Sequence, residues 1–196
     1  MVTTIKPGFF ATFRVYFCNK LWYNYKNDYI MNLGKNKVNE ARMVAIKCHG
    51  TQDYDGVFPY EKHLEDVVNV LKRFSIVHPK FLCGGYLHDA IEDGAISYNK
   101  IKIHFGLEVA EMVYCVTDEL GRNRKEKKEK TLPKTASNPD AIIIKLADRI
   151  ANIEHGGKID MYAKEYVQFR EALYQVDKVA EPLWEHLESL LKIELV

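Results

Sequence analysis

The chain has 196 residues, 47% of them apolar and 28% charged, with 28 Lys and Arg against 27 Asp and Glu. That suffices for one sizeable core but not for two ordinary domains, and a net charge of +1 argues against bulk electrostatic capture of nucleic acid or an anionic membrane. No uncharged apolar run approaches the roughly 18 residues needed to span a bilayer, and four cysteines without a CxxC pair exclude a disulfide knot or a zinc ribbon and read as reduced thiols of a cytoplasmic protein.

The first thirty residues hold nine aromatics, from Phe9 to Tyr29, with no helical period. Arg14 and Lys20 interrupt the apolar stretch, which argues against a signal peptide. Residues 1–35 are read as an extension, dispensable where termini collect unselected sequence, with an aromatic arm for a partner subunit as the alternative.

From Asn36 onward the apolar spacing is helical. Val38, Ala41, Val44, Ala45 and Cys48 form one stripe, and Gly50 to Pro59 is a polar loop. Leu64, Val67, Val68 and Leu71 form a second stripe, ending before Pro79. Phe81, Leu82, Leu87 and Ile91 predict a third helix, closing near Gly94. Ser97 caps a short helix carrying Ile101 and Phe105, with Gly106 as punctuation before the stripe Val109, Met112, Val113 and Val116. Ala141 to Ile153, Tyr166 to Tyr174 and Val179 to Leu191 supply three more helices, and convincing period-two alternation is missing. The expectation is an all-α protein, one helical domain over residues 36–193.

Metal-ligand side chains concentrate in three of these segments. His63 opens the second helix, and Asp148 lies inside the apolar run Ala141 to Ile153. His88, Asp89, Glu92 and Asp93 fall at i, i+1, i+4 and i+5, which on a helix projects them from adjoining faces of two turns. Three carboxylates this close repel one another, and burying one unpaired costs several kcal/mol, on the order of 2–7. A divalent cation removes that penalty. A solvated helix end would account for Glu92 and Asp93 beside Gly94, but not for His88-Asp89 between Leu87 and Ala90. Imidazole and carboxylate ligands suit Mn²⁺, Fe²⁺, Mg²⁺ or Zn²⁺ in a hydrolytic role, not a closed thiolate zinc site.

Arg122 to Lys130 carries six basic residues, Arg122, Arg124, Lys125, Lys127, Lys128 and Lys130, with Glu126 and Glu129. Such a run is either a solvated helix face or a clamp for a substrate of high negative charge. No P-loop, GxGxxG or GxSxG pattern is present.

The order His63, His88-Asp89, Asp148 resembles the H…HD…D signature of the HD metal-dependent phosphohydrolases. The segments Lys47-Cys48-His49, Pro59-Tyr60-Glu61-Lys62-His63, Leu87 to Asp93, Phe105-Gly106, Val116-Thr117-Asp118 and Ile144 to Arg149 with Asn152 are similar to the hydrolase domain of RelA/SpoT enzymes. The similarity is strongest to their stand-alone Mesh-type relatives, and it runs from about Val38 to Leu173.

The resemblance implies an HD-domain helical bundle acting as a (p)ppGpp 3′-pyrophosphohydrolase that yields GDP or GTP and pyrophosphate. It implies His63, His88, Asp89 and Asp148 as ligands of one ion, usually Mn²⁺, and Glu92 and Asp93 as the catalytic acidic pair. Asn152, Tyr166, Lys130, Arg124 and Lys125 fall at or near substrate-binding positions. The family's first helix usually carries Arg-Lys-His, its arginine packing on guanine; here Lys47 takes that place, and lysine lacks the planar guanidinium. Two other readings therefore stand beside the first: an HD phosphohydrolase for another nucleotide, such as one with a 3′-phosphate or a nucleoside monophosphate, and a non-catalytic nucleotide-binding protein. The expected partner is a small nucleotide, with neither nucleic acid nor membrane, and the sequence is silent on oligomeric state.

Overall fold

A computed structural model describes residues 34–94 and 96–193. The described residues from 37 onward belong to one compact unit. The aromatic extension and its two readings lie outside the described residues.

The described residues form nine helices and one two-stranded ribbon. Helix α1 spans 34–49, and the loop after it contains β1 (Asp53–Tyr54) and β2 (Phe58–Pro59). The strands pair antiparallel, Asp53 with Pro59 and Tyr54 with Phe58. The sequence reading has a plain loop here, because two residues are too few to display a period of two. Then follow α2 (Glu61–Arg73), α3 (Pro79–Leu87), α4 (Tyr98–Phe105), α5 (Leu107–Val116), α6 (Arg124–Ala136), α7 (Pro139–Glu154), α8 (Ile159–Leu173) and α9 (Glu181–Leu191).

Several boundaries follow from local chemistry. Asn138 accepts the Ala141 N–H at 3.2 Å and Pro139 occupies the first turn, so α7 starts with a side-chain cap and a residue that has no N–H to satisfy. Asn123 and Ser97 cap α6 and α4 in the same way. Gly106, at φ +95°, makes the turn from α4 into α5.

Helix α7 is buried nearly all round, through Ala141, Ile142, Ile143, Ile144, Leu146, Ala147, Ile150, Ala151 and Ile153. It is the central rod of the bundle, packed by α2, α3, α5, α6 and α9. Helix α3 approaches its neighbours closely because of two glycines. A Cβ on Gly85 would lie 3.0 Å from Leu71 and 3.1 Å from Val68 of α2, and one on Gly84 would lie 2.5 Å from Met112 of α5. This close packing carries the end of α3 to the start of α2 and the middle of α7.

One helical expectation needs correction. The third helix does not run to Gly94; it ends at Leu87, His88 is its C-cap, and residues 88–94 are successive turns. The His88 ring accounts for part of this, because its Nδ1–H donates to the Gly85 carbonyl at 2.9 Å. Gly94, at φ +68°, completes the reversal.

Candidate metal centre

Three helices deliver the ligand-type side chains. His63 comes from the first turn of α2, His88 and Asp89 from the end of α3, and Asp148 from the middle of α7. The two imidazole Nε2 atoms face each other at 3.2 Å. Asp148 Oδ1 lies 3.4 Å from the first and 3.8 Å from the second. Asp89 Oδ2 lies 2.9 Å from His88 Nε2 and 3.8 Å from His63 Nε2. Both histidines are buried, at 2% and 1% exposure.

The surroundings hold these groups still. Because His88 Nδ1–H is committed to Gly85, the neutral ring keeps its proton on Nδ1 and turns the Nε2 lone pair to the cluster. Asn152 donates to Asp148 Oδ1 at 2.7 Å and takes the Tyr54 hydroxyl on its own Oδ1 at 3.1 Å. Tyr60 donates its hydroxyl to Asp89 Oδ2. Lys145 Nζ lies 3.5 Å from Asp148 Oδ2.

The electrostatics are those of a site short of positive charge. Burial alone would lower the pKa of His88, but the Asp89 carboxylate beside it outweighs burial and raises it to about 9. Burial alone would raise Asp148, yet Lys145 and the two imidazoles hold its carboxyl well below the usual range. Asp89 is lowered too, with burial opposed first by His88. Two imidazole nitrogens and an Asp148 carboxylate oxygen lie within 4.8 Å of one another with Asp89 Oδ2 2.9 Å from His88 Nε2, and this set, with no thiolate in it, fits a divalent cation of the Mn²⁺, Fe²⁺, Mg²⁺ or Zn²⁺ class. Cys48, Cys83 and Cys115 are free thiols outside this set.

His63, Asp89 and Asp148 of the cluster form the floor of a cavity of about 310 Å³, whose walls include Tyr60, Glu92, Asn152 and Tyr162. Three cations, Arg124, Lys128 and Arg149, line both this cavity and a second one of about 320 Å³ between α6 and α8, which adds Lys125 and Lys164. Glu165 reaches Arg124 at 2.5 and 3.0 Å and Arg149 at 3.4 Å. Burial pushes the Arg149 guanidinium down to about 10, and its ring neighbours Phe169 and Tyr162 lie 3.6 and 4.7 Å away.

The other expected residues are distributed unevenly. Glu92 lines the first cavity, its Oε2 accepting the Asp118 N–H at 3.2 Å. Asp93 stands beside α1, its Oδ2 lying 2.9 Å from His49 Nδ1. Arg124 and Lys125 line cavities, but Lys130 turns outward, bonding Glu126 and the Leu120 carbonyl at 2.9 Å each. Lys47 is exposed on α1 and lines neither cavity. Tyr166 points away as well; its buried hydroxyl donates to Glu188 of α9. Tyr162, one turn earlier, is the α8 tyrosine that lines the metal cavity.

Lys128, Lys145, Arg149, Tyr60 and Tyr162 were not singled out as site residues from the sequence. A signal was available for two of them: Lys145 and Arg149 flank Asp148 at i−3 and i+1 in a buried helix, where unpaired cations would be costly.

The HD domain family, described by its sequence model, matches residues 41–175. A human protein named guanosine-3′,5′-bis(diphosphate) 3′-pyrophosphohydrolase MESH1 is 31% identical over 119 residues, which cover 58% of this chain and 66% of that protein. A protein of Aquifex aeolicus with the same enzyme name is also 31% identical, over 60% of this chain and 17% of its own length. The chain thus spans slightly under two thirds of one of these relatives and a small part of the other. A solved structure of a metazoan ortholog of SpoT, described as hydrolysing ppGpp, superposes with a TM-score of 0.66 over 78% of this chain and 94% of that one. At 23% identity that likeness establishes the fold, an all-helical HD bundle. With a family match over more than half its length and imidazole and carboxylate groups converging from three helices, the chain belongs to the HD domain family.

Proposed function

We propose that the chain is a metal-dependent (p)ppGpp 3′-pyrophosphohydrolase of the cytoplasm, releasing pyrophosphate and GDP or GTP, with residues 36–193 as its hydrolase domain and residues 1–35 as an extension. The observation that carries this reading is the convergence of His63, His88 and Asp148, with Asp89 beside them, at a cavity whose walls carry Arg124, Lys128 and Arg149 among acidic side chains. The names of the relatives at 31% identity support the same chemistry.

His63, His88, Asp89 and Asp148 would hold the ion, with Mn²⁺ the expected species. When bound, such a cation makes water a usable nucleophile near neutral pH and offsets charge on phosphoryl oxygens. The chain's own groups do the rest. Glu92, anchored through Oε2 to the Asp118 N–H, retains Oε1 to take the proton of the attacking water. Asp93 is the second acid of the pair. Arg124, Lys128 and Arg149 orient the anionic groups of the nucleotide, and Lys125 extends that field into the second cavity. Asn152 keeps Asp148 in place. Orientation by several fixed cations matters here, because a substrate with two phosphorylated arms must present only the 3′ arm to the floor of the cavity.

A second reading keeps the metal chemistry and changes the nucleotide. It is favoured by Lys47, which lies outside both cavities where the resemblance expects a guanine-packing residue. One experiment addresses both. The purified chain is incubated with Mn²⁺ and ppGpp, with His88→Ala as the control, and products are resolved by ion exchange. GDP plus pyrophosphate, absent in the control, is the expected result. Inertness of the metal-loaded chain towards ppGpp overturns the proposal and favours nucleotides with a 3′-phosphate.

A further inference from the structure

Helix α1 contributes a residue to the acidic turn that no ligand or substrate role accounts for. His49 is 6% exposed, and its Nδ1 faces two acceptors, Asp93 Oδ2 at 2.9 Å and Gln52 Oε1 at 3.0 Å. A nitrogen between a carboxylate and an amide oxygen carries the proton, so the ring is the Nδ1–H tautomer, hydrogen-bonded to Gln52 with the Asp93 carboxylate in contact beside it. Its Nε2 is buried with no hydrogen-bond partner, which a bare lone pair tolerates better than a buried N–H would. The ring plane is set from the side as well. His49 stacks on Tyr60 with centroids 4.2 Å apart and 24° between planes, and Tyr60 in turn donates to Asp89.

Asp93 needs such an anchor. It lies in turns, not in a helix, and its side chain is 35% exposed. Its backbone is tied by its N–H to the Asp89 carbonyl at 3.1 Å, but a carboxylate with that exposure samples several rotamers unless a donor selects one. We propose that His49 is a positioning residue: its Nδ1–H fixes the Asp93 carboxylate through Oδ2 and reserves Oδ1 for the reacting proton, coupling α1 to the acidic pair. This rests on the reading of Asp93 as one of the catalytic acids.

The test compares His49→Leu, which keeps bulk and removes the donor, with His49→Asn, whose side-chain N–H₂ can reproduce the Nδ1 donor. His49→Leu is expected to lower kcat about 10- to 100-fold, with bound Mn²⁺ and KM within about twofold of the unaltered chain, and His49→Asn is expected to restore most of the loss. Equal losses in the two variants, or a loss of bound metal that accounts for the fall, overturn the inference in favour of a packing role. Asp93→Asn, measured alone, separates the two claims. Full turnover in that variant removes Asp93 from the reaction. A collapse there while His49→Leu keeps full kcat overturns only the role of His49. Imidazole ¹⁵N shifts of the unaltered, folded chain give a readout independent of any substitution. The Nδ1–H tautomer is expected, and an Nε2–H tautomer for His49 overturns the proposal.

Discussion

The metal floor and the cationic wall of the cavity are built on opposite principles. At the floor, three of the four ligand groups are held by a neighbour, His88 by Gly85, Asp148 by Asn152 and Lys145, and Asp89 by Tyr60, while His63 Nδ1 is buried without a hydrogen-bond partner. On the wall, the cations belong to ion pairs, Arg124 with Glu165 and Lys128 with Asp118. The floor is fixed by core packing, because its helices cannot shift without opening the bundle around α7. The wall is fixed by helix phase: on α6 only Arg124, Lys125, Lys128 and Leu132 face a cavity, at i, i+1, i+4 and i+8. A site that must hold one ion in one geometry uses the first device. A surface that must receive and release polyanions can use the second, since a substrate phosphate can replace a carboxylate on the same guanidinium.

That contrast can be broken at several points. The largest expected effect is on the floor and comes from pH. In the metal-free chain His88 holds a proton up to about pH 9, and a cation requires the neutral ring. Metal affinity should therefore fall as pH drops below that value, by about tenfold per unit, or about 100-fold between pH 8 and pH 6. Titration calorimetry in buffers of different ionisation enthalpy should also record proton release on metal uptake. Affinity independent of pH across that range would show that no proton on His88 is displaced by the metal.

Tyr60→Phe tests the support of Asp89 on the same floor. Loss of the hydroxyl donor should weaken metal binding about 10- to 100-fold with little change in melting temperature. An unchanged metal dissociation constant would show that Asp89 needs no such support.

On the wall, Arg124→Ala should raise KM about tenfold, as loss of a charge-assisted phosphate contact would (about 1.4 kcal/mol), while Lys130→Ala should leave it within about twofold. Equal effects of the two substitutions would mean that bulk charge, not helix phase, selects the contacts.

The smallest effect lies behind the wall. Tyr166→Phe removes the hydroxyl that Glu188 accepts, alongside its 3.1 Å bond from Arg170. It should cost about 1–2 kcal/mol in a denaturant titration and leave KM unchanged. A raised KM would restore Tyr166 to the substrate surface.

Much of the architecture was legible as pattern. Period-3.6 stripes and the caps Ser97 and Gly106 marked the helices, because burying one face of a helix forces that spacing whatever the partner. The end of α3 was not legible. Ile91 continues the apolar period, and the stop depends on the His88 side chain bonding its own backbone at Gly85. Tyr166 and Tyr162 are both α8 tyrosines, and no local signal says which one faces the cavity; the packing of α9 against α8 draws Tyr166 to Glu188 and leaves Tyr162 beside Arg149.

By itself, the sequence determined that the chain is helical, that imidazoles and carboxylates recur where apolar helices should have none, and that no thiolate, P-loop or serine chemistry competes with them. Those conclusions depend on composition and short-range spacing, which burial and local bonding impose directly. The tertiary structure alone decided which cations face the cavities, which tyrosine lines the metal cavity, and that a histidine of α1 stands beside Asp93. Each of these is a contact between segments tens of residues apart, and such contacts are set by the closure of the bundle around α7, not by any local preference of the chain.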